Sequence, residues 1–185
     1  IKADGTLDAT EVNTPTFITN VGYESTSTGC IDTNFQPATN GVNYTLNSAS
    51  AGFFSFDCTF KFLYGENGNS NSSWARQRNA GFVNSAFNSV NAVSGYSQSR
   101  PDNLKTFIRQ NSTKAELWID DVNNGYSSGT STSIGTVYSF YFLGMNRASP
   151  VITSGVKGSL FYAGGDLSSH MTQLTASFNA YLNSI

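Results

Sequence analysis

Charge is what this sequence has least of. Asp, Glu, Lys and Arg make up 12% of its 185 residues, where a soluble domain usually carries about 25%. The formal net charge is −2, and such a chain lacks the basic face that nucleic acid requires. Histidine occurs once, at His170, and cysteine twice, at Cys30 and Cys58. Those three residues do not complete a zinc site of the usual kind unless carboxylates join them. The two thiols leave two readings open, a disulfide or a pair of buried free cysteines. No run of eighteen apolar residues exists, so no membrane span is expected. No secretory leader is visible, and the first residue is Ile1 rather than Met. A processed chain, a fragment or the ordered part of a longer chain is expected to look like this.

What is present instead is Ser, Thr, Asn and Gly, with aromatic residues at 14%. That mixture suits extracellular β-proteins and virion surfaces better than cytosolic enzymes. The length is that of one domain with a full core.

Periodicity is clearest at the C-terminal end. Leu167, Met171, Leu174, Phe178 and Tyr181 recur at helical spacing, with Leu182 and Ile185 beside them. The spacing predicts a helix over 168–183, capped by Ser168 and laid on an apolar surface. Before it comes a strand, Gly158–Ala163, and a Gly164-Gly165-Asp166 break. Ala51–Gly65 reads as the best strand, with Phe54, Phe56, Cys58, Phe60 and Phe62 alternating with polar residues. Leu104–Ile119 reads as a hairpin that leaves Glu116 and Trp118 on the face opposite Ala115, Leu117 and Ile119. A second turn is expected at Asp120–Gly125. Val137–Gly144 is apolar on both faces and predicts a central strand, covered on its second face by the terminal helix or a loop. Glu66–Ser73 and Ala92–Asp102 read as loops, the latter with Arg100-Pro101 as a stop. Residues 1–20 read as an arm or connector in which Phe17-Ile18 could enter an edge strand, and 21–185 as the domain. Many short strands followed by one helix make an all-β antiparallel sandwich, most simply a jelly roll.

Candidate chemistry is sparse. Glycoside hydrolysis wants two carboxylates about 5–9 Å apart, and the only adjacent pair, Asp120-Asp121, sits in a turn where neighbours diverge. The bland reading of that turn is a solvated loop, and its rival is a calcium site shared with Asn123. His170 has no partnered nucleophile and reads as a surface residue. No Gly-x-Ser-x-Gly elbow occurs. Three Asn-x-Ser/Thr sequons, at Asn43, Asn71 and Asn111, are expected by chance in so Asn- and Ser-rich a chain. The aromatic residues are more informative. Trp118, Trp74 and, more weakly, Tyr126 are candidates for stacking on the C–H face of a sugar, with Asp120 among the neighbouring polar groups. The competing reading buries each indole under a loop or a partner chain. The site set is therefore Trp118, Trp74, Tyr126 and Asp120, with no catalytic residue, no metal ligand and no cofactor.

Three stretches together resemble the concanavalin A-like (laminin G-like) jelly-roll domains of bacteriophage structural proteins. They are Gly29-Cys30-Ile31-Asp32-Thr33-Asn34-Phe35-Gln36-Pro37 with Tyr44–Ser50; Ala115-Glu116-Leu117-Trp118-Ile119-Asp120-Asp121; and Ser139–Gly144 with Gly158–Ile185. The resemblance spans Val21 to Ile185 and departs between Glu66 and Arg100. It implies a non-enzymatic virion component, in a tail fibre, tail tip or head fibre, that binds host-surface glycan. The expected setting is a homo-oligomer displayed at the virion surface, in contact with other virion proteins; the charge and the lack of a long apolar run leave neither nucleic acid nor membrane as a partner. Two other roles stay open, a structural capsid or tail decoration without sugar binding, and a secreted bacterial carbohydrate-binding module or enzyme fragment.

Overall fold

The aromatic run from Phe53 to Phe62 does not make one strand. It makes two, and they lie in different layers. The computed structural model describes residues 7–56, 61–68, 71–77, 82–89, 93–97, 103–127 and 129–184. In chain order the first half gives β1 (Thr10–Val12), β2 (Thr16–Ile18), β3 (Gly22–Glu24), β4 (Cys30–Asp32), a one-turn helix α1 (Pro37–Asn40), β5 (Ala49–Phe56), β6 (Lys61–Gly68), β7 (Asn71–Gln77), β8 (Phe82–Phe87) and β9 (Val93–Ser97). The second half gives β10 (Leu104–Asn111), β11 (Lys114–Ile119), β12 (Val122–Ser127), β13 (Tyr141–Phe142), β14 (Gly144–Met145), β15 (Val151–Ile152) and β16 (Lys157–Gly164). It ends in a 3₁₀ turn at Ser168–His170 and the helix α2 (Met171–Leu182).

Two seven-stranded sheets result. The first runs β1-β4-β13-β6-β7-β8-β9 and the second β12-β11-β10-β5-β16-β3-β2, and every strand pair is antiparallel. The chain is thus an all-β sandwich with one C-terminal helix. Residues 10–18, read as an arm, supply an edge strand to each sheet.

β5 sits centrally in the second sheet and is buried on both faces. Ala49, Ala51 and Phe53 point into the main core, while Phe54 and Phe56 point the other way. Inside, the Tyr64 ring packs against Phe53 at 5.6 Å, Phe140 at 5.7 Å and Phe161 at 5.4 Å. Such tilted and edge-on pairs add about 0.5–1.5 kcal/mol each beyond area burial.

α2 lies on the outer face of the second sheet. Met171, Thr175 and Phe178 are its buried residues. Phe178 packs on Phe54 with ring centroids 4.9 Å apart. Leu174 and Leu182 join a cluster with Leu104, Phe56, Leu160 and Tyr162. Tyr181, expected on the apolar face, is 53% exposed instead, because the true stripe runs 171, 174–175, 178, 182. The helix also begins differently. The Ser168 N–H donates to Asp166 Oδ1 at 2.8 Å, so Asp166 supplies the acceptor that Ser168 was expected to provide.

Other expectations are corrected. The expected central strand over 137–144 shrinks to the two residues of β13, and Gly144 already belongs to β14, which pairs with β15. Leu143 then takes a φ of +69°, which a branched residue rarely adopts, and the ladder breaks there. β13 is central in the first sheet as expected, but α2 covers the second sheet, not β13. The loop expected at 66–73 is the end of β6 and the start of β7, and the loop expected at 92–102 contains β9. Arg100-Pro101, Cys58, Phe60 and Ile185 lie outside the described residues. Cys30 is a buried free thiol. Its pKa is pushed up to about 12, first by burial and then by the negative charge of Asp32, so it stays protonated at neutral pH.

Candidate functional site

Alternation along β11 sends its residues to two destinations. Ala115, Leu117 and Ile119 are buried, and Leu117 and Ile119 join the main core. Lys114, Glu116 and Trp118 therefore share the outer face of the second sheet. Trp118 faces Thr106 on β10 and Asn123 on β12. Its indole N–H donates to Glu116 Oε2 at 2.8 Å. The other carboxylate oxygen, Oε1, pairs with Lys114 Nζ at 2.5 Å. Lys114 also donates to Gln110 Oε1 at 2.9 Å. Glu116 is 4% exposed and Lys114 39%, so the anion lies beneath and the cation faces water.

This chain of contacts fixes the plane of a partly exposed indole. Thr106 and Tyr162 join their hydroxyls alongside it, and Tyr162 belongs to the cluster under α2. The helix covers the outer face over β10, β5 and β16, and Trp118 stands on the next strand outward. On its other side, Asn123 is exposed. The Asn123 Oδ1 accepts from the Gly125 N–H at 2.8 Å, and its NH₂ has no partner among the described residues. An aromatic plate framed by an ammonium, a carboxylate and an amide can stack on a sugar ring and exchange hydrogen bonds with its hydroxyls.

The expected turn over Asp120–Gly125 is also revised. The chain reverses at Asp120-Asp121, and Val122–Ser127 is already strand. Gly125, at φ +119°, lies in the irregular stretch where two β11 steps, from Glu116 to Trp118, oppose three on β12, from Tyr126 to Asn123. The Asn-Gly pair thus makes a bulge and not a turn. Tyr126, expected in a polar loop, is on β12, and its backbone pairs with Glu116; its side chain lies outside what is described.

Asp120 has a different occupation. With φ at +54° it turns its carboxylate back onto β10. Oδ1 accepts from the Leu104 N–H at 3.1 Å, and Oδ2 accepts from Asn103 Nδ2 at 2.5 Å. Both oxygens brace the start of β10. Asp120→Ala leaves two nearly buried donors without an acceptor, at about 1–3 kcal/mol each. It is expected to lower stability by about 2 kcal/mol, read as a shift in the urea midpoint with an unchanged slope, and to leave ligand affinity within twofold.

Trp74 is on the other side of the molecule. It lies on β7 between the buried Ser73 and Ala75, and points outward from the first sheet. Its cross-strand partner is Gly65, where an added Cβ would sit 2.4 Å from Trp74 Cβ, so only glycine leaves room. Its ring meets Phe62 edge-on at 5.8 Å and 78°. Arg76 Cζ lies 5.5 Å from the centroid of the same Phe62 ring. The two tryptophans therefore occupy opposite outer faces and do not form one site.

Sequence reading missed Glu116 as the partner of the Trp118 indole, Lys114 as the partner of Glu116, and Arg76 as the cation over Phe62 beside Trp74. The signal was there, since Lys114-x-Glu116-x-Trp118 and Trp74-x-Arg76 are same-face spacings on strands. His170 is exposed on its 3₁₀ turn. Among the described residues, no three His, Cys, Asp or Glu side chains cluster as metal ligands would. An open cleft of about 390 Å³ lies between Asn13, Ser27, Thr28, Pro150, Val151 and Ile152. It offers neither an aromatic face nor a charge, unlike the Trp118 face.

No family model matches the chain, and no curated protein matches it by sequence. Solved structures do match by shape. A mutant of Trypanosoma rangeli sialidase displaying trans-sialidase activity superposes with a TM-score of 0.67 at 12% identity, over 94% of this chain and 30% of that one. Botulinum neurotoxin type C, whose cell entry depends on interaction with two ganglioside molecules, gives 0.67 at 11%, over 95% of this chain and 47% of that one. The CBM40 module of Ruminococcus gnavus IT-sialidase, bound to α2,3-sialyllactose, gives 0.58 at 13%, over 91% and 98%. The chain thus spans less than half of the sialidase and of the toxin chain, and nearly all of the binding module. What it shares with all three is the β-sandwich fold.

Proposed function

We propose that this domain is a non-catalytic glycan-binding module whose site is the Trp118 face. The observation that carries the reading is the indole itself. It is partly exposed, and its N–H is already committed to Glu116. A sugar therefore meets a plate that needs little further ordering, and preorganisation of that kind lowers the cost of binding. Lys114 and Asn123 flank the plate and supply donors to hydroxyls. The similarity in fold to a module bound to sialyllactose, and to a toxin that interacts with gangliosides, supports a saccharide as the ligand. The carboxylate at the site is held by Lys114 and Trp118, which suits binding and not acid–base catalysis.

The resemblance of the sequence to phage jelly rolls, and its uncharged, aromatic-rich composition, support a place on a virion surface. There the domain is part of a tail fibre, tail tip or head fibre and touches other virion proteins. Several copies in a homo-oligomer would turn weak single sites into firm host attachment.

A glycan array probed with the wild type and with Trp118→Ala tests this. Loss of a central tryptophan costs about 2 kcal/mol at a well-formed interface, or about thirtyfold in affinity. The wild type is expected to bind a subset of glycans and the variant to lose them. A wild type that binds none, or a variant that binds equally well, overturns the proposal and favours a decoration role.

A further inference from the structure

We infer that the outer face of the first sheet carries a second saccharide site, selective for a carboxylate-bearing sugar and built from Trp74, Phe62 and Arg76. It rests on the reading of the domain as a glycan binder, but it uses different residues on the opposite face of the sandwich.

One cation of the first sheet has an unspent charge. Arg76 is partly exposed on β7. Its Nε is closed off from water and meets no acceptor. No carboxylate pairs with it among the described residues, and its contact is the Phe62 ring, 5.5 Å from Cζ. Other buried cations of this chain are spent differently. Arg109 donates from Nε to the Phe87 carbonyl at 2.9 Å and from Nη1 to the Gly129 carbonyl at 3.0 Å. Arg76 makes no such bond among the described residues. The guanidinium lies against an aromatic ring, which aligns its fork without occupying its Nη donors, and a planar fork matches a carboxylate in two parallel hydrogen bonds.

The stacking surface is beside it. Trp74 and Arg76 are alternate residues of one strand, about 6.6 Å apart along the chain and on the same face. Phe62 bridges them, edge-on to the indole and under the guanidinium. Gly65, opposite Trp74, adds no side chain that would crowd the ring. A sugar ring lying on the Trp74 indole would bring a carboxylate on that ring to Arg76. A neutral sugar would gain the stacking alone. The Trp118 face differs because its charges are already paired with each other.

The chain has two tryptophans, which makes the test clean. In Trp118→Phe, intrinsic fluorescence reports Trp74 alone. That variant is titrated with galacturonate oligosaccharide, with its methyl ester, and with a neutral galactose oligosaccharide. The expected result is a change in Trp74 emission with galacturonate at a concentration at least tenfold below that needed for the ester or the neutral sugar. Added salt should narrow the gap. Arg76→Gln in the same background should abolish the preference, and Arg76→Lys should keep a weaker one. No emission change with any of the three, or equal responses to galacturonate and its ester, overturns the proposal. The ester comparison changes the ligand and not the protein, so it decides even if an Arg76 variant fails to fold. A failure of the Trp118 site leaves the Trp74 response independently readable.

Discussion

Phe178→Ala is expected to remove about 3–5 kcal/mol of folding stability, the usual cost of deleting a buried phenylalanine ring. Phe178 is 7% exposed and packs on Phe54 at 4.9 Å. It is the largest side chain that α2 commits to the outer face of the second sheet. Without it a cavity opens above Phe54 and Leu104, and the helix keeps only Met171, Leu174, Thr175 and Leu182 as anchors. Domains of this size are stable by about 5–15 kcal/mol in total, so the loss is a large share. Urea denaturation followed by circular dichroism reads it directly. Tyr181→Ala, three residues on and 53% exposed, is the control and is expected to fall within about 0.5 kcal/mol of wild type. If both variants cost the same, or if Phe178→Ala costs under 1 kcal/mol, the helix does not seal this face.

Stability is also expected to fall steeply in alkali. Tyr44 and Tyr64 are buried in the core, 2% and 0% exposed. Burial pushes both hydroxyls well above their ordinary value of 10.0. For Tyr44 a hydrogen bond with Ser73 offsets part of that rise. The sign follows from which state holds the proton. Above pH 10 the unfolded tyrosines ionise while the folded ones stay neutral, so the unfolded state binds fewer protons. The stability these groups contribute is complete below pH 10 and is lost as pH rises towards their folded values. Each such tyrosine gives a slope of about 1.4 kcal/mol per pH unit, so the pair gives about 3. Tyr162, also pushed up by burial, acts in the same direction. Cys30, pushed up from 9.0 to about 12 by burial, adds its own fall from about pH 9, so urea midpoints measured from pH 8 to 11 should decline gently above about 9 and steeply above 10. Tyr44→Phe should flatten the drop by about 1.4 kcal/mol per pH unit, and a profile level to pH 11 would contradict the burial of these hydroxyls.

The parts of this molecule that the sequence made legible are those where one periodicity governs one element. Met171, Leu174, Phe178 and Leu182 recur at helical spacing over a single helix, and the helix is there. The alternation through Phe54, Phe56 and Phe62 misled because period two is blind to a reversal of the chain. It continues in phase across two strands that belong to different sheets. Phe53, out of phase with that series, is the residue that enters the main core. Glu66 and Ser73 looked like loop because they are polar. They are strand because the core contains a polar network: Ser73 N–H donates to Glu66 Oε1 at 3.1 Å, and Tyr44 OH donates to Asn88 Oδ1 at 3.1 Å. Satisfied polar groups of this kind are invisible to hydropathy.

The same distinction holds for the site. That Trp118 leaves the core face was readable from Ala115, Leu117 and Ile119. That Glu116 would grip its indole, and that Asp120 would turn back onto Leu104, depends on rotamers and on a left-handed φ that spacing does not encode. The separation of Trp74 from Trp118 depends on sheet order, which strand patterns do not reveal.

Whether sugar lies on the Trp118 indole is read from the two indole N–H signals of nitrogen-15-labelled wild type. A glycan selected on the array is titrated in, and Trp118 is assigned from Trp118→Phe. The Trp118 signal, already displaced by its bond to Glu116, is expected to shift progressively and saturate with the binding curve, with Lys114 and Asn123 moving alongside. A bound glycan that leaves the Trp118 signal unmoved, while residues of the Asn13–Ile152 cleft respond, would contradict a site at Trp118.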